Sequence, residues 1–251
     1  MTKINVLLQK ELIDPSRLKN CVVVIFDVLL ATTTITTLLQ YGAKKVIPVF
    51  NSHEALEVSK NLNLPQDSCI LSGEKNGYSL NEFIYPCPLE LLESNVDGKT
   101  VILSTTNGTV ALKKSLGAPF VYASCLLNGQ FVSQKLLQNY NEQSILLVCS
   151  GNHGCFSMED FIGAGHFIHH LHKFSGTVFQ LSDSAKAAVQ FYEQCHEESL
   201  LKHFVTSHTG KLLTSLGYKP SIYHSVQRDI YNAVPILRTG EYPYLELESS
   251  L

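Results

Sequence analysis

Four segments of the sequence carry side chains able to bind or activate an anion. Asp27 closes the apolar run 21–26 and is followed by Val28-Leu29-Leu30 and then Ala31-Thr32-Thr33-Thr34. Gly73-Glu74 follows the run 69–72, Thr105-Thr106-Asn107-Gly108-Thr109 follows 100–104, and Ser150-Gly151-Asn152-His153-Gly154 follows 144–149. Hydroxyls, an amide and a glycine ahead of a helix offer an anion close approach and free N–H groups, although the same residues suit a plain capped turn. An aspartate at the end of an apolar strand is placed either for phosphoryl transfer and metal binding or for bonding a neighbouring helix N-terminus. Glu74, Glu159 and Asp160 are further carboxylates at element ends. Converging with Asp27, they would present oxygen ligands to a hard cation such as Mg²⁺, whereas Glu159 and Asp160 also suit the first turn of a helix as dipole partners.

His166, His169 and His170 are spaced i, i+3 and i+4, which on one helix face would present imidazoles to a transition metal such as zinc. That face lies opposite the apolar stripe of its helix and holds neither Cys nor carboxylate, so it reads as a solvated face. Other schemes are excluded. Cys149 resembles a phosphatase nucleophile in a loop, but the arginine needed six residues later is Cys155. No G-x-x-x-x-G-K-[ST], no G-x-G-x-x-G after a strand and no Gly-x-Ser-x-Gly occurs.

The elements that must position these loops are legible from periodicity. Strands are expected at residues 4–8, 21–26, 45–50, 69–72, 100–104, 120–123, 144–149 and 177–181, several of them apolar on both faces. Helices are expected at 31–40, with Gly42 beyond its end, at 159–172, and after Ser182 or Asp183. Alternation of the two kinds predicts an α/β fold, a largely parallel or mixed sheet with helices on both faces, in which ligands sit beyond the carboxyl ends of strands. The 251 residues make one unit spanning 1–251, with any division into two lobes expected near 125–140.

With 45% apolar and 16% charged residues and a formal charge of −3, the chain has no electrostatic footprint for nucleic acid. No apolar run spans a bilayer and the N-terminal residues lack a signal peptide, so a cytoplasmic location with reduced cysteines is expected. The basic residues include only three arginines, Arg17, Arg228 and Arg238, which leaves few places to clamp an anion bidentately.

The ordered set of Asp27-Val-Leu-Leu-Ala-Thr-Thr-Thr, Gly73-Glu74, Thr105-Thr-Asn-Gly-Thr109, Val148-Cys-Ser-Gly151, Ser157-Met-Glu-Asp160, Ala164-Gly165, Gly217, Asp229 and Val234-Pro235 resembles the 2-phosphosulfolactate phosphatase (ComB-like) family over about residues 20 to 240. The resemblance implies an α/β fold and a Mg²⁺-dependent phosphoric monoester hydrolase that acts on a small anionic organic phosphate, releasing sulfolactate or a related hydroxy acid. It implies catalytic roles for Asp27, Glu74, Glu159 and Asp160, with Asp27, Glu159 and Asp160 on the metal. Thr105, Thr106, Asn107, Gly108, Thr109, Ser150 and Gly151 would line the anion pocket, and Arg228, beside Asp229, is the arginine expected to face it. Homo-oligomerisation is left open.

Two departures from that family stand out. Relatives read Asp-Val-Leu-Arg-Ala-Thr where this chain has Leu30 in place of the arginine. They carry Gly-Phe-Asp-x-Gly-Asn-Ser-Pro where this chain reads Asn81-Glu82-Phe83-Ile84-Tyr85-Pro86-Cys87-Pro88. These changes motivate an alternative, a degenerate member that binds an anionic metabolite or a protein partner without turnover.

Overall fold

A computed structural model of the chain describes residues 2–139, 143–176 and 178–248. Its strands are β1 (Lys3–Leu7), β2 (Cys21–Phe26), β3 (Lys45–Val49), β4 (Cys69–Lys75), β5 (Tyr78–Ser79) and β6 (Thr100–Ser104). They continue with β7 (Phe120–Ala123), β8 (Ser144–Cys149), β9 (Gln180–Leu181), β10 (Pro235–Arg238) and β11 (Tyr244–Leu247). The sheet order is β5-β4-β6-β3-β11-β10-β7-β2-β8-β1-β9. β4, β6 and β3 pair in parallel, as do β7, β2, β8, β1 and β9, and the hairpin β10–β11 joins the two sets by antiparallel pairing at both its edges. The expected α/β class, with a mixed and mostly parallel sheet flanked by helices, is what the chain adopts.

Three successive antiparallel pairings, β3 with β11, β11 with β10 and β10 with β7, set the two parallel groups in opposite senses. In a flat sheet their carboxyl ends would lie at opposite edges. Five strand-to-strand steps separate β6 from β2, and at roughly 20–25° of twist per step the accumulated rotation is about 100–125°. In the folded chain the loops after β2 and β6 meet, Gly108 lying against the Asp27 carboxylate.

β2 shows why the sheet must be covered twice. Val22, Val24 and Phe26 enter one core with Phe167, Ile168 and Phe204, whereas Val23 and Ile25 enter the other with Ile35, Leu38 and Leu103. Each fully buried side chain of this size is worth about 1.5–3 kcal/mol relative to exposure. On the first face packs the helix Met158–Phe174, started by Ser157, whose Oγ accepts from the Asp160 N–H at 3.3 Å. On the second lies Ala31–Gln40, after which Gly42 takes φ +87.

Element by element, the expectations at 21–26, 31–40, 100–104, 120–123 and 144–149 coincide with observed bounds. β4 runs on to Lys75 to form a small antiparallel pair with β5, which periodicity did not mark. The strand expected at 177–181 comprises Gln180–Leu181, and Thr177 lies outside the described residues. No described helix is long and apolar enough to cross a membrane.

One expectation about the helices is overturned. The histidine face of the helix Met158–Phe174 is not solvated: His166 and His170 are buried, and only His169 reaches outward, 3.0 Å from Glu193. The helix Asp183–Glu193 packs along this second side, with Tyr192 against the His166 ring at 5.1 Å, so the helix is covered on two faces.

Candidate active site

Asp27 follows the last residue of β2 and is 7% exposed. Its backbone N–H donates to Thr32 Oγ1 at 3.1 Å and its carbonyl accepts from the Thr32 N–H at 2.9 Å, which turns the chain into the helix Ala31–Gln40. The carboxylate packs against the loop after β6. A Cβ on Gly108 would stand 2.5 Å from Asp27 Oδ2 and 2.5 Å from the Ala31 side chain, so only glycine permits this approach.

Burial raises Asp27 to a pKa of about 7, with the Glu74 and Glu159 charges adding to the rise while an Ala31 backbone hydrogen bond and Lys10 oppose it. Asp160 lies well above the usual carboxylate range, through burial first and then through the charges of Asp27 and Glu159. Three of the expected carboxylates, Asp27, Glu159 and Asp160, are therefore buried within one another's fields, with Glu74 at the side.

Asp160 and Glu74 also have structural tasks. Asp160 Oδ1 accepts from the Val28 N–H at 2.9 Å and Oδ2 from the Gly151 N–H at 3.0 Å, tying the loop after β2 to the loop after β8. Glu74 accepts from the N–H of Thr106 at 2.6 Å, from its hydroxyl at 2.9 Å and from the Gly77 N–H at 2.6 Å, tying the turn after β4 to the loop after β6. Within that loop Thr105 and Thr109 clasp each other: the Thr105 N–H donates to Thr109 Oγ1 at 3.1 Å, and the Thr109 N–H to Thr105 Oγ1 at 3.2 Å. Gly151 holds φ +68, with no room for a Cβ because Cys155 O would lie 2.7 Å away.

Around Asp27 opens a cleft lined by Leu30, Glu74, Thr105, Thr106, Asn107 and His153 among others. The helix His208–Ser215 covers one side with His208, Leu212 and Leu213, and Tyr85 closes another, stacked on Tyr218 at 4.5 Å. Thr105, Thr106, Asn107, Asp27 and Glu74 thus meet at the cleft. Gly108, Thr109, Ser150, Gly151, Glu159 and Asp160 do not line it.

Arg228 does not line the cleft either: its guanidinium lies over the Tyr192 ring at 5.6 Å, beside the buried histidines. The cation near Asp27 is Lys10, buried, donating to Asn107 Oδ1 at 2.7 Å and to Ser150 O at 3.5 Å, and paired with Glu11 at 2.9 Å. No motif marked Lys10; its partners are remote in sequence, and only its position after the apolar residues of β1 set it near the carboxyl end of a strand.

The donor set sorts the metals this site would take. Asp27, Glu159 and Asp160 offer oxygen alone, without imidazole or thiolate, which suits a hard dication such as Mg²⁺ and disfavours softer ions. Three mutually repelling buried carboxyl groups opposed by one ammonium are the charge pattern that such a cation relieves.

Fold and cleft together define an α/β protein whose carboxylate-centred, threonine-lined site opens where parallel strands end, the arrangement of enzymes that handle small anions. A family model described as 2-phosphosulpholactate phosphatase matches residues 7–240, and the chain belongs to that family. Similar proteins named "Probable 2-phosphosulfolactate phosphatase" include one from Clostridium beijerinckii, 33% identical over 95% of this chain and 98% of its own length. One from Clostridium perfringens strain SM101 is 36% identical over 97% of each, and one from Caldanaerobacter subterraneus subsp. tengcongensis is 37% identical over 91% of this chain and 92% of its own.

Proposed function

We propose that the protein is a phosphoric monoester hydrolase that uses Mg²⁺ to split 2-phosphosulfolactate, or a related small phospho-hydroxy acid, into the hydroxy acid and phosphate. The observation that carries the reading is Asp27, which both lines the cleft and sits within the buried acidic cluster. Family membership supports the substrate class.

The chain's own groups have distinct parts. Thr105, Thr106 and Asn107 offer hydrogen bonds to phosphoryl oxygens at the cleft wall. Lys10 holds Asn107 by its side chain and places a positive charge behind the loop. Glu74 fixes Thr106, so the loop is rigid before substrate arrives. Leu29, Leu30, Leu212 and Leu213 exclude water from the opposite wall, which strengthens each of these charge interactions. Asp27, raised to about 7 by burial and the neighbouring carboxylates, can hold a proton on its carboxyl near neutral pH. Asp27, Glu159 and Asp160 would hold the Mg²⁺, which supplies positive charge to the transferring phosphoryl group.

A second reading, binding without turnover, is favoured by Leu30: at a cleft position where relatives carry arginine, this chain presents an apolar side chain. One assay separates the two. Purified protein with Mg²⁺ is given 2-phosphosulfolactate, phospholactate, phosphoglycolate and a chromogenic phosphate ester, and released phosphate is measured with and without Asp27→Asn. Turnover abolished by the substitution supports the hydrolase, and turnover that Asp27→Asn leaves intact removes the proposed site. Tight binding with no turnover across the panel supports the second reading.

A further inference from the structure

Away from the cleft, three side chains converge with no assigned purpose. His166 and His170 lie one turn apart on the helix Met158–Phe174, and both point Nε2 at Asp229 Oδ2, at 3.1 and 2.8 Å, while the two Nε2 atoms stand 3.0 Å from one another. His166 is wholly buried, and neither Nδ1 has a protein partner. The polar contacts of both rings therefore meet at one point.

Protons do not satisfy that triangle. A neutral imidazole carries one proton, on one nitrogen. With both Nε2 atoms protonated, two N–H groups oppose each other across 3.0 Å. With either one bare, its lone pair faces the Asp229 carboxylate. Because the three atoms are nearly equidistant, one N–H cannot point well at two of them. Each assignment leaves one contact repulsive, whereas a cation at the centre is attracted by all three lone pairs.

The geometry points to a second metal site, a divalent transition ion of the zinc type held by His166 Nε2, His170 Nε2 and Asp229 Oδ2. Tetrahedral ligands about 2.0–2.1 Å from zinc stand roughly 3.3 Å apart, close to the spacing of these atoms. The ligands lie within reach of one another without rearrangement. Asp229 is fixed in the required pose: its backbone holds φ +54, its N–H donates to Leu126 O at 2.9 Å, and its Oδ1 accepts from the Gln130 N–H at 2.8 Å, leaving Oδ2 for the ion. Gly129 makes room for the His166 ring, since a Cβ there would stand 2.5 Å from Nδ1.

Two imidazoles and one carboxylate select against Mg²⁺, which takes oxygen. Arg228 is the cation nearby and opposes the ion, but its guanidinium is directed onto the Tyr192 ring. Three protein ligands leave a fourth position for water. The ion staples the helix Met158–Phe174 to the segment that leads into β10, a structural task independent of the cleft.

The test uses the full chain without a polyhistidine tag. Metal-free protein is titrated with Co²⁺ and Zn²⁺, following visible Co²⁺ absorption, bound metal and thermal unfolding. One Zn²⁺ per chain should bind, tetrahedral Co²⁺ bands should develop and be displaced by Zn²⁺, and unfolding should shift upward. Asp229→Asn and His170→Gln should each weaken Zn²⁺ binding by at least roughly 100-fold, no less than the loss of an outer-shell partner costs. His169→Gln and Asp27→Asn should bind as wild type does, and circular dichroism of each metal-free variant reports its fold. No tetrahedral Co²⁺ signal in the wild type, or Zn²⁺ binding lost in Asp27→Asn and kept in a folded Asp229→Asn, overturns the assignment.

Discussion

Lys10 Nζ donates to Asn107 Oδ1 at 2.7 Å, a half-buried contact between the segment after β1 and the loop after β6. The same ammonium is the cation among the leading charges that act on Asp27. Lys10→Met should therefore let Asp27 rise above about 7. The low-pH limb of kcat/KM, which reports the free enzyme's essential groups, should move to higher pH. A pH–rate profile of the variant at fixed Mg²⁺ that overlays the wild type would contradict this.

Asp27→Asn should lower phosphate release by about 10²–10⁴-fold, the range expected when a positioned acid–base group is removed. Thermal unfolding measured alongside should show a folded protein, since the amide keeps the shape of the carboxyl beside Gly108.

The raised pKa of Asp27 also makes stability depend on pH. In the metal-free protein its folded pKa of about 7 exceeds the unfolded value, so the folded state binds the proton more tightly. That contribution is complete below about pH 4 and is lost as pH rises through about 7, on the order of a few kcal/mol. Metal-free Asp27→Asn should match the wild type near pH 4 and exceed it at pH 8 in denaturant unfolding. Mg²⁺ should stabilise the wild type more at pH 8 than at pH 5, because it competes with the proton.

Gly108→Ala should act on the same carboxylate by sterics alone. With its Cβ meeting Asp27 Oδ2 and Ala31, overpacking should cost about 1–3 kcal/mol. Turnover should fall with it, whereas alanine at Gly176, where a Cβ meets nothing within 4 Å, should change neither.

Leu30→Arg places at the cleft wall the guanidinium that the family resemblance leads one to expect there. A charge-assisted hydrogen bond to an anionic substrate is worth about 1.5–3 kcal/mol, so kcat/KM for phosphate esters should rise about tenfold or more and become more salt-sensitive. A folded variant with unchanged kinetics on the whole panel would separate position 30 from the substrate.

The strands and principal helices were legible because β2, β6, β7 and β8 are apolar on both faces and closed by turn residues, a pattern that burial under two helical layers demands. The hairpin β10–β11 was not: Pro235 and the alternating Tyr244-Leu-Glu-Leu carry a weak signal, and its place between β3 and β7 is a long-range choice. The loops that meet at the cleft were legible from their position after strands. Lys10 was not, because its partners Asn107 and Ser150 are distant in sequence. The histidine face was misread for a related reason. Helix periodicity reveals one apolar side, and only tertiary packing shows that the other is covered by Tyr192 and Asp229.

The central position of β10–β11 also sets an order of events during synthesis. Until the ribosome has released residues 235–247, β3 and β7 have no partner on their facing sides, and each parallel group is an open edge able to pair with another nascent chain. The sheet therefore closes only when its last-made described strands arrive. Chains interrupted before Pro235 should be recovered as aggregates or chaperone-bound species, however complete their active-site residues.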